Sequence, residues 1–472
     1  MSMGRTVLSA TLAVSLAACG GGGGGNSGSS TGGLSSGGSS GGDTCSLSAR
    51  QDFVLDVLNE WYLFPDLLDT SVNKAAYNDL QDYIDALVAP ARAQSKDRFF
   101  TYITSIEEEN ELINSGANAG FGIRLGYDTS SNRVFVLEAF EAGNAFKAGI
   151  DRGTELLSIN GQSVASLIAS GGPAAVSQAL GPSDPGVTRQ ITFRTAAGTQ
   201  DTASITKSEF SLDPISDRYG AKILDNGGTK VGYINLRTFI VQDAGPQLPT
   251  AFATFTAPGV NQIILDLRYN GGGLVSVAEL LGDLMAADQV GKVFSRTTLR
   301  PSKSSENETD LFGAQPQAID AMRVAVIGRG GTASASELVT NSLIPYLGEN
   351  IALVGADTFG KPVGQFAFDR SACDDRLRAV TFKTENANGQ GEYFTGLASV
   401  MPRTCAAADD IFTQLGEPNE ASISTALDFL AGKACTPIAG ATGTRSTQRI
   451  DEREVLRPAR PTAAQVEVPG LF

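Results

Sequence analysis

Between about residue 211 and residue 435, short apolar runs alternate with stretches of helical periodicity. Four runs have the length of strands: residues 231–236, 262–267, 324–327 and 351–354. Helical patterns lie between them, at residues 275–286 and 337–347. This alternation predicts an α/β domain over residues 211–435, built on a largely parallel sheet.

The regions on either side of this domain have a different character. Apolar residues at 53–62 and 80–87 recur at helical spacing, which predicts a small helical domain over residues 45–117. Strand-like runs broken by turns begin at Gly120 and predict a β-rich domain over residues 118–210. After Cys435 the chain becomes polar, so residues 436–472 are expected to be a disordered tail. The fold class is therefore α/β and multidomain.

The chain of 472 residues contains no histidine. Histidine is the usual base at neutral pH and the commonest metal ligand, so Ser–His–Asp and Cys–His sites are excluded. The five cysteines include no CxxC pair at zinc spacing, which argues against a zinc site. A net charge of -15 argues against a nucleic-acid partner.

The first residues have the pattern of an export signal. Arg5 precedes an apolar stretch, and Leu16-Ala17-Ala18-Cys19 fits a lipoprotein cleavage site. We expect a signal peptide at residues 1–18, lipidation of Cys19 and a flexible Gly/Ser tether at residues 19–44. Gly20 favours the outer membrane, so the predicted location is the cell envelope, lipid-anchored and facing the periplasm (or the cell surface). An ordinary secretory signal with a chance cysteine is the alternative.

Export would leave four cysteines in an oxidising compartment, where disulfides form. They are Cys45, Cys373, Cys405 and Cys435, and they allow three pairings. We expect Cys373–Cys405 to close a local loop and Cys45–Cys435 to join the chain ends. The sequence leaves the other two pairings open.

A run of small residues, Gly-Gly-Thr-Ala-Ser-Ala-Ser-Glu at 330–337, links the third predicted strand to a helix. Such a turn can expose the hydroxyl of Ser334 at the carboxyl end of a sheet, beside helix N–H groups able to stabilise an oxyanion. A purely structural alternative exists, because Ser334 and Glu337 also fit a capping box.

The loop after the fourth predicted strand reads Thr-Phe-Gly-Lys-Pro-Val-Gly-Gln, residues 358–365. Among glycines and apolar residues, Lys361 would be partly desolvated, which lowers the lysine pKa and yields an amine able to accept the serine proton. Gln365 could hydrogen-bond and orient that amine. The alternative is an ordinary surface lysine.

A third run, Asp-Leu-Arg-Tyr-Asn-Gly-Gly-Gly at 266–273, follows the second predicted strand. Its glycines leave main-chain N–H groups uncovered, which suits a second oxyanion donor, although a plain tight turn would look the same.

A competing SxxK motif at Ser71 and Lys74 lies in a polar connector and lacks the partner motifs of penicillin-binding enzymes.

These three runs, taken in order, resemble the motifs of the C-terminal processing peptidases, also called tail-specific proteases. The resemblance covers roughly residues 50–430. Asn59-Glu60-Trp61-Tyr62 is similar to their helical N-terminal region. Residues 118–210 resemble their PDZ domain, and Gly120-Phe121-Gly122-Ile123 looks like its carboxylate-binding loop.

The resemblance implies a serine endopeptidase with a Ser–Lys dyad and no cofactor. Ser334 would be the nucleophile and Lys361 the base, with Gln365 orienting the lysine. The oxyanion would be held by the N–H groups of Ala335 and Gly273.

The resemblance also implies the substrate class: exported or cell-envelope polypeptides with unstructured C-terminal tails. The amides of Phe121, Gly122 and Ile123 would hold the tail carboxylate while the peptide is captured by strand addition.

The chain departs from the family pattern at two points. Pro362 stands where the family has glycine, and the interval from Ser334 to Lys361 exceeds the family interval, which Ser336 would match. Ser336 is therefore the alternative nucleophile. A catalytically inactive, peptide-binding lipoprotein with a PDZ module is the alternative function.

Overall fold

The computed structural model describes residues 44–128, 130–439 and 453–472. The predicted signal peptide, Cys19 and nearly all of the predicted tether lie outside the described residues. The helices are α1 (Leu47–Trp61), α2 (Leu80–Leu87), α3 (Ala89–Ala93), α4 (Ile106–Ser115), α5 (Asn144–Lys147), α6 (Val164–Leu180), α7 (Ala244–Thr256), α8 (Val275–Met285), α9 (Ala335–Leu347), α10 (Ala421–Leu430) and α11 (Ala463–Glu467).

The strands are arranged in four sheets. They are β1 (Tyr102–Ser105), β2 (Ala117–Gly120), β3 (Ile123–Asp128), β4 (Arg133–Ala139), β5 (Glu155–Ile159), β6 (Gln162–Ser163), β7 (Thr188–Arg194), β8 (Gln200–Thr206), β9 (Ser208–Ser211), β10 (Ala221–Asn226), β11 (Thr229–Asn235), β12 (Gln262–Asp266), β13 (Val293–Leu299), β14 (Glu308–Leu311), β15 (Arg323–Gly328), β16 (Ile351–Gly355), β17 (Val363–Arg370), β18 (Asp375–Glu385), β19 (Arg403–Ala406) and β20 (Arg453–Val455).

A six-stranded sheet in the order β10-β11-β12-β15-β16-β19 forms the centre of the C-terminal half. All of its neighbouring strands run parallel except β10 and β11. Side chains alternate between two apolar cores: Ile263 and Leu265 point to one face, and Ile264 points to the other. Burial on both faces explains why the strands read as continuous apolar runs. Because β12, β15 and β16 run parallel, their carboxyl ends meet at one edge of the sheet.

The helical N-terminal region completes a core rather than having one of its own. Val54, Leu58 and Ile84 pack with Leu377 and Val380 of β18, and all five are buried. In addition, β1 pairs antiparallel with β18, within a five-stranded sheet in the order β1-β18-β13-β14 with β17 on β18. The chain is thus a mixed α/β structure with a helical N-terminal region and several sheets.

Two disulfides join the four described cysteines, Cys45–Cys373 and Cys405–Cys435. The expected pairing of Cys373 with Cys405 and of Cys45 with Cys435 is wrong. Cys45 stands just before α1, which packs on the sheet that contains the Cys373 turn. The tertiary fold, and not separation along the chain, decides which thiols meet.

A seven-stranded sheet in the order β20-β3-β4-β5-β7-β8, with β6 on β5, covers α5 and α6 and forms its own apolar core. Its edge strand β20 comes from the far end of the chain. The prediction of a disordered tail is therefore wrong for residues 453–472, and also for residues 436–439, where Ile438 is buried. Within the described residues, no helix is long and apolar enough to cross a membrane.

Candidate active site

Ser334 lies at the junction of β15 and α9, in a strained turn. Its φ of 55° is in the left-handed region, which residues with a side chain adopt rarely. The side chain is half-buried. Ser336, one position into the helix, is fully buried, and its hydroxyl donates to the carbonyl of Asn270 at 3.1 Å. Of the two serines, only Ser334 combines a strained backbone with partial exposure.

Lys361 lies in the loop after β16, beside the Ser334 turn. Its Nζ donates to Gln365 Oε1 at 2.7 Å, and Gln365 in turn donates to the carbonyl of Phe100. The Phe100 ring centroid is 5.1 Å from Nζ. Burial lowers the pKa of Lys361 from its ordinary value, and the negative charges of Glu467 and Asp97 only partly oppose that effect.

The carboxylate of Glu337 joins the two loops. Its Oε2 accepts hydrogen bonds from the amides of both Ser334, at 3.1 Å, and Lys361, at 2.7 Å. Its Oε1 accepts from the Gly360 amide and the Thr358 hydroxyl. Burial raises the pKa of Glu337 to about 7, although these four donors favour the charged form. One side chain thus fixes the serine turn against the lysine loop.

The three-glycine turn after β12 completes this edge of the sheet. A Cβ on Gly272 would lie 2.7 Å from Ser334 Cβ and 3.0 Å from the Ala335 nitrogen, so the turn packs directly on the serine. The Gly272 amide donates to Asn270 Oδ1, and Asn270 Nδ2 donates to the carbonyl of Leu236. By contrast, the amides of Ala335 and Gly273 donate no hydrogen bond within the described part of the chain.

A buried ionic network supports the glycine turn from behind. Arg268 pairs with Asp266 at 2.9 Å and with Glu420 at 2.8 Å, and it also contacts Asp409. Burial alone would raise the pKa of Asp409, but Arg152, Arg329 and Arg268 hold it well below its ordinary value. Paired buried charges of this kind fix the geometry of the turn.

The structure brings most of the predicted site residues to one edge of the six-stranded sheet. Ser334, Ala335 and Gly273 lie on adjoining turns, and Lys361 with Gln365 lies on the next loop. Among the described residues, the Lys361 amine is bonded to Gln365 and not to the Ser334 hydroxyl.

Three contributors to this arrangement were not predicted. The spacing of Ser334 and Glu337 predicts only a capping box. Asn270 is marked in the sequence only by the glycines that follow it. No sequence pattern marks Arg98, whose guanidinium donates to the carbonyls of Phe359 and Gly360 in the lysine loop.

The predicted carboxylate-binding residues form a separate loop before β3. The amides of Gly122 and Ile123 both donate to the main-chain oxygen of Phe472, at 3.0 and 3.1 Å. The Phe121 side chain is buried in the core of the seven-stranded sheet, and its carbonyl accepts from Ala145. Two of the three predicted amides therefore engage an oxygen from the chain itself.

Two protein-family models match the chain: peptidase family S41 at residues 230–398, and the peptidase S41 N-terminal domain at residues 49–102. The "Carboxyl-terminal-processing protease" of Synechocystis sp. is 26% identical over 344 residues, which are 71% of this chain and 74% of that protein. The "C-terminal processing peptidase, chloroplastic" of Tetradesmus obliquus is 30% identical over 270 residues, 54% of each.

A solved structure from Bacteroides fragilis, described as an S41 protease, has a similar fold. Its TM-score is 0.62 at 23% identity, and the match covers 80% of this chain and 97% of that one. Together these similarities support a serine-type peptidase. The S41 family models and these two curated relatives confirm the resemblance to the C-terminal processing peptidases that is seen in the motifs.

Proposed function

We propose that the chain is a serine endopeptidase with a Ser–Lys dyad, formed by Ser334 and Lys361. The observation that carries the proposal is the Glu337 carboxylate, which binds the amides of both residues through one oxygen. A partly buried lysine whose pKa is lowered, held by Gln365, is the neutral base that such a dyad needs.

The reaction then follows from the positions of these groups. The neutral Lys361 amine takes the proton of Ser334 as its oxygen attacks the peptide carbonyl. The open amides of Ala335 and Gly273 stabilise the oxyanion, and Lys361 returns the proton to the leaving amine. Water then hydrolyses the acyl-enzyme. The missing Ser334–Lys361 hydrogen bond is compatible with this scheme, since catalytic hydrogen bonds often tighten only when substrate binds.

We further propose that residues 118–210 are a PDZ-like domain that recognises unstructured C-terminal tails. In support, the loop amides of Gly122 and Ile123 bind an acceptor oxygen, as carboxylate capture requires, and residues 453–472 add to the side of β3 as an added strand would. The substrates would be exported or cell-envelope polypeptides. A lipid anchor on Cys19 and an outer-membrane location facing the periplasm rest on the sequence of residues 1–44 alone.

The test is cleavage of an unstructured protein by wild type and by Ser334→Ala, Ser336→Ala and Lys361→Ala. We expect Ser334→Ala and Lys361→Ala to lose about 10³-fold or more in rate. Ser336→Ala should keep most activity, because the only hydrogen bond of that hydroxyl among residues 44–128, 130–439 and 453–472 is to the Asn270 carbonyl. If Ser336→Ala loses cleavage activity and Ser334→Ala keeps it, Ser336 and not Ser334 is the nucleophile. If the wild-type protein cleaves nothing, the result supports the alternative function, a catalytically inactive peptide-binding protein.

A further inference from the structure

Residues 453–472 follow the edge of β3 in two separate stretches. In the first, β20 pairs antiparallel with residues 126–128, and the Leu456 amide donates to the carbonyl of Leu125. In the second, the Leu125 amide donates to the carbonyl of Gly470, and Leu471 forms a bridge with Arg124. The whole edge of β3, from residue 123 to residue 128, is therefore occupied by the chain itself.

Phe472 ends the second stretch in the loop that we propose binds carboxylates. Its main-chain oxygen accepts the hydrogen bonds of Gly122 and Ile123, and its own amide donates to the carbonyl of Ile123 at 2.8 Å. Its side chain is 2% exposed and belongs to the apolar core of the seven-stranded sheet. A strand that adds to the edge and places an oxygen in the loop has the geometry expected of a bound peptide.

Between the two stretches, residues 457–468 pass over the candidate active site. A cavity of about 1160 Å³ has Lys361, Ala333 and Gly271 in one wall and residues of this segment in the other. A Cβ on Gly271 would lie 2.7 Å from the Glu467 carbonyl oxygen, so the segment lies against the glycine turn. The Tyr102 hydroxyl also donates to the Glu467 carboxylate at 3.0 Å.

We propose that residues 453–472 are a built-in ligand of the β3 groove, which substrate tails must displace. This inference rests on the proposed function of the groove. It also defines what the groove selects: the position held by Phe472 takes a large apolar side chain, because Phe472 is buried in one apolar cluster with Ile123, Ile150 and Val176. The preferred substrates are polypeptides with a bulky apolar residue at that position.

Covalent attachment makes the segment a strong competitor. A ligand that belongs to the same chain as its site competes at an effective concentration that can reach the order of millimolar. A free peptide of the same intrinsic affinity must therefore reach a comparable concentration to displace it. Substitutions that weaken the docking of the segment should expose the groove without altering it.

The experiment measures binding of a fluorescent peptide, Ala-Ala-Gln-Val-Glu-Val-Pro-Gly-Leu-Phe, to the protein from Cys45 to Phe472. Two variants disrupt docking in different ways. Phe472→Asp places a charge in the apolar core, and Gly470→Val puts a branched side chain at φ 86°, where even a Cβ lies 2.9 Å from the Leu125 oxygen. Phe472→Leu is the matched control, because it keeps an apolar side chain at the same position.

We expect both disruptive variants to bind the peptide about 10-fold or more tightly than wild type, and Phe472→Leu to stay close to wild type. In those variants, a peptide with Asp in place of its last Phe should bind at least about 10-fold more weakly. Equal, measurable affinity of all four proteins would overturn the inference and leave groove binding intact. If none of the four proteins binds the peptide, both the built-in ligand and the peptide-binding role of the groove are wrong. The cleavage test with Ser334→Ala would still decide separately whether the chain is a serine peptidase.

Discussion

Two places in this chain present main-chain N–H groups that could bind a ligand, and they differ in whether those groups are used. Where the Ser334 turn adjoins the glycine turn, the amides of Ala335 and Gly273 have no acceptor among the described residues. At the loop before β3, the amides of Gly122 and Ile123 are both taken by Phe472. The donors at the first place are open, as the proposed oxyanion site requires, whereas the loop before β3 already holds a segment of the chain itself.

The difference implies separate kinetic roles. Donors that act only on a developing charge change kcat, whereas donors that hold a bound tail change KM. Substitutions in each loop should therefore separate the two parameters.

The largest expected effect is at the glycine turn. Gly273 has a φ of 136°, and a Cβ there would lie 2.2 Å from the Ile240 nitrogen. Gly273→Ala must therefore displace the turn and its amide, and we expect kcat to fall about 10²- to 10³-fold, as when an oxyanion donor is lost. Steady-state kinetics on a short peptide would measure this fall.

Gly330→Ala is the control for that substitution, because Gly330 has nothing within 4 Å of an added Cβ. It should retain wild-type kcat. If Gly273→Ala were to keep wild-type kcat at an unchanged melting temperature, the oxyanion assignment would be wrong.

The sequence predicted the strands that position the Ser334 turn well, because burial on both faces leaves an unbroken apolar run. The runs predicted at 262–267, 324–327 and 351–354 became β12, β15 and β16 within one or two residues. The turn motifs at their ends could also be located, since small residues between a strand and a helix are a local signal.

What the sequence did not reveal depends on distant contacts. Residues 453–472 look disordered because their apolar residues, such as Leu456 and Phe472, follow no period. Their order comes from pairing with β3. The same holds for Glu337, whose spacing to Ser334 indicated a cap but not its bonds to Gly360 and Lys361.

The next effect in size is expected at Glu337. Glu337→Gln preserves the shape, but it replaces one acceptor oxygen with an NH2 group that faces donor amides. The lysine loop should shift, and a displacement of about 1 Å can cost about 10²-fold in rate. We expect a lower kcat with little change in KM.

Glu349→Gln is the matched control, because the Glu349 side chain is 74% exposed and, within the described part of the chain, pairs only with Arg403 at the surface. Equal kinetics for the two variants would contradict the role of Glu337 in joining the loops.

A smaller effect, on pH dependence, is expected at Gln365. In the proposed dyad the base must be neutral, so the rate should rise with pH as Lys361 loses its proton, with a midpoint below the ordinary lysine pKa of about 10.4. Gln365→Glu would put a carboxylate beside Nζ, favour the charged amine and raise its pKa. The acid limb of kcat/KM should then move to higher pH by about one unit or more.

The pH profile of Gln200→Glu provides the comparison, since it adds the same charge at an exposed position of β8. That variant should leave the limb in place. If the acid limb of kcat/KM moves equally in both variants, or in neither, Lys361 is not the base that titrates.

The smallest effect is expected in the loop that is already occupied. Gly122 has a φ of 79°, and a Cβ would lie 2.4 Å from Gly143 Cα, so Gly122→Ala must distort the amide pair that holds Phe472. Losing one hydrogen bond of about 1 kcal/mol raises KM for a tailed substrate by about fivefold. The same distortion loosens the competing segment, which lowers KM and offsets part of that rise.

KM should therefore change by less than about fivefold for a tailed substrate, and kcat should not change. Gly245→Ala, where an added Cβ meets nothing within 4 Å, is the control. Combining Gly122→Ala with Phe472→Asp removes the offset, so the double variant should show the full rise relative to Phe472→Asp alone. If the rise is no larger in that background, the two ligands do not share the loop, and the contrast between an open and an occupied site is lost.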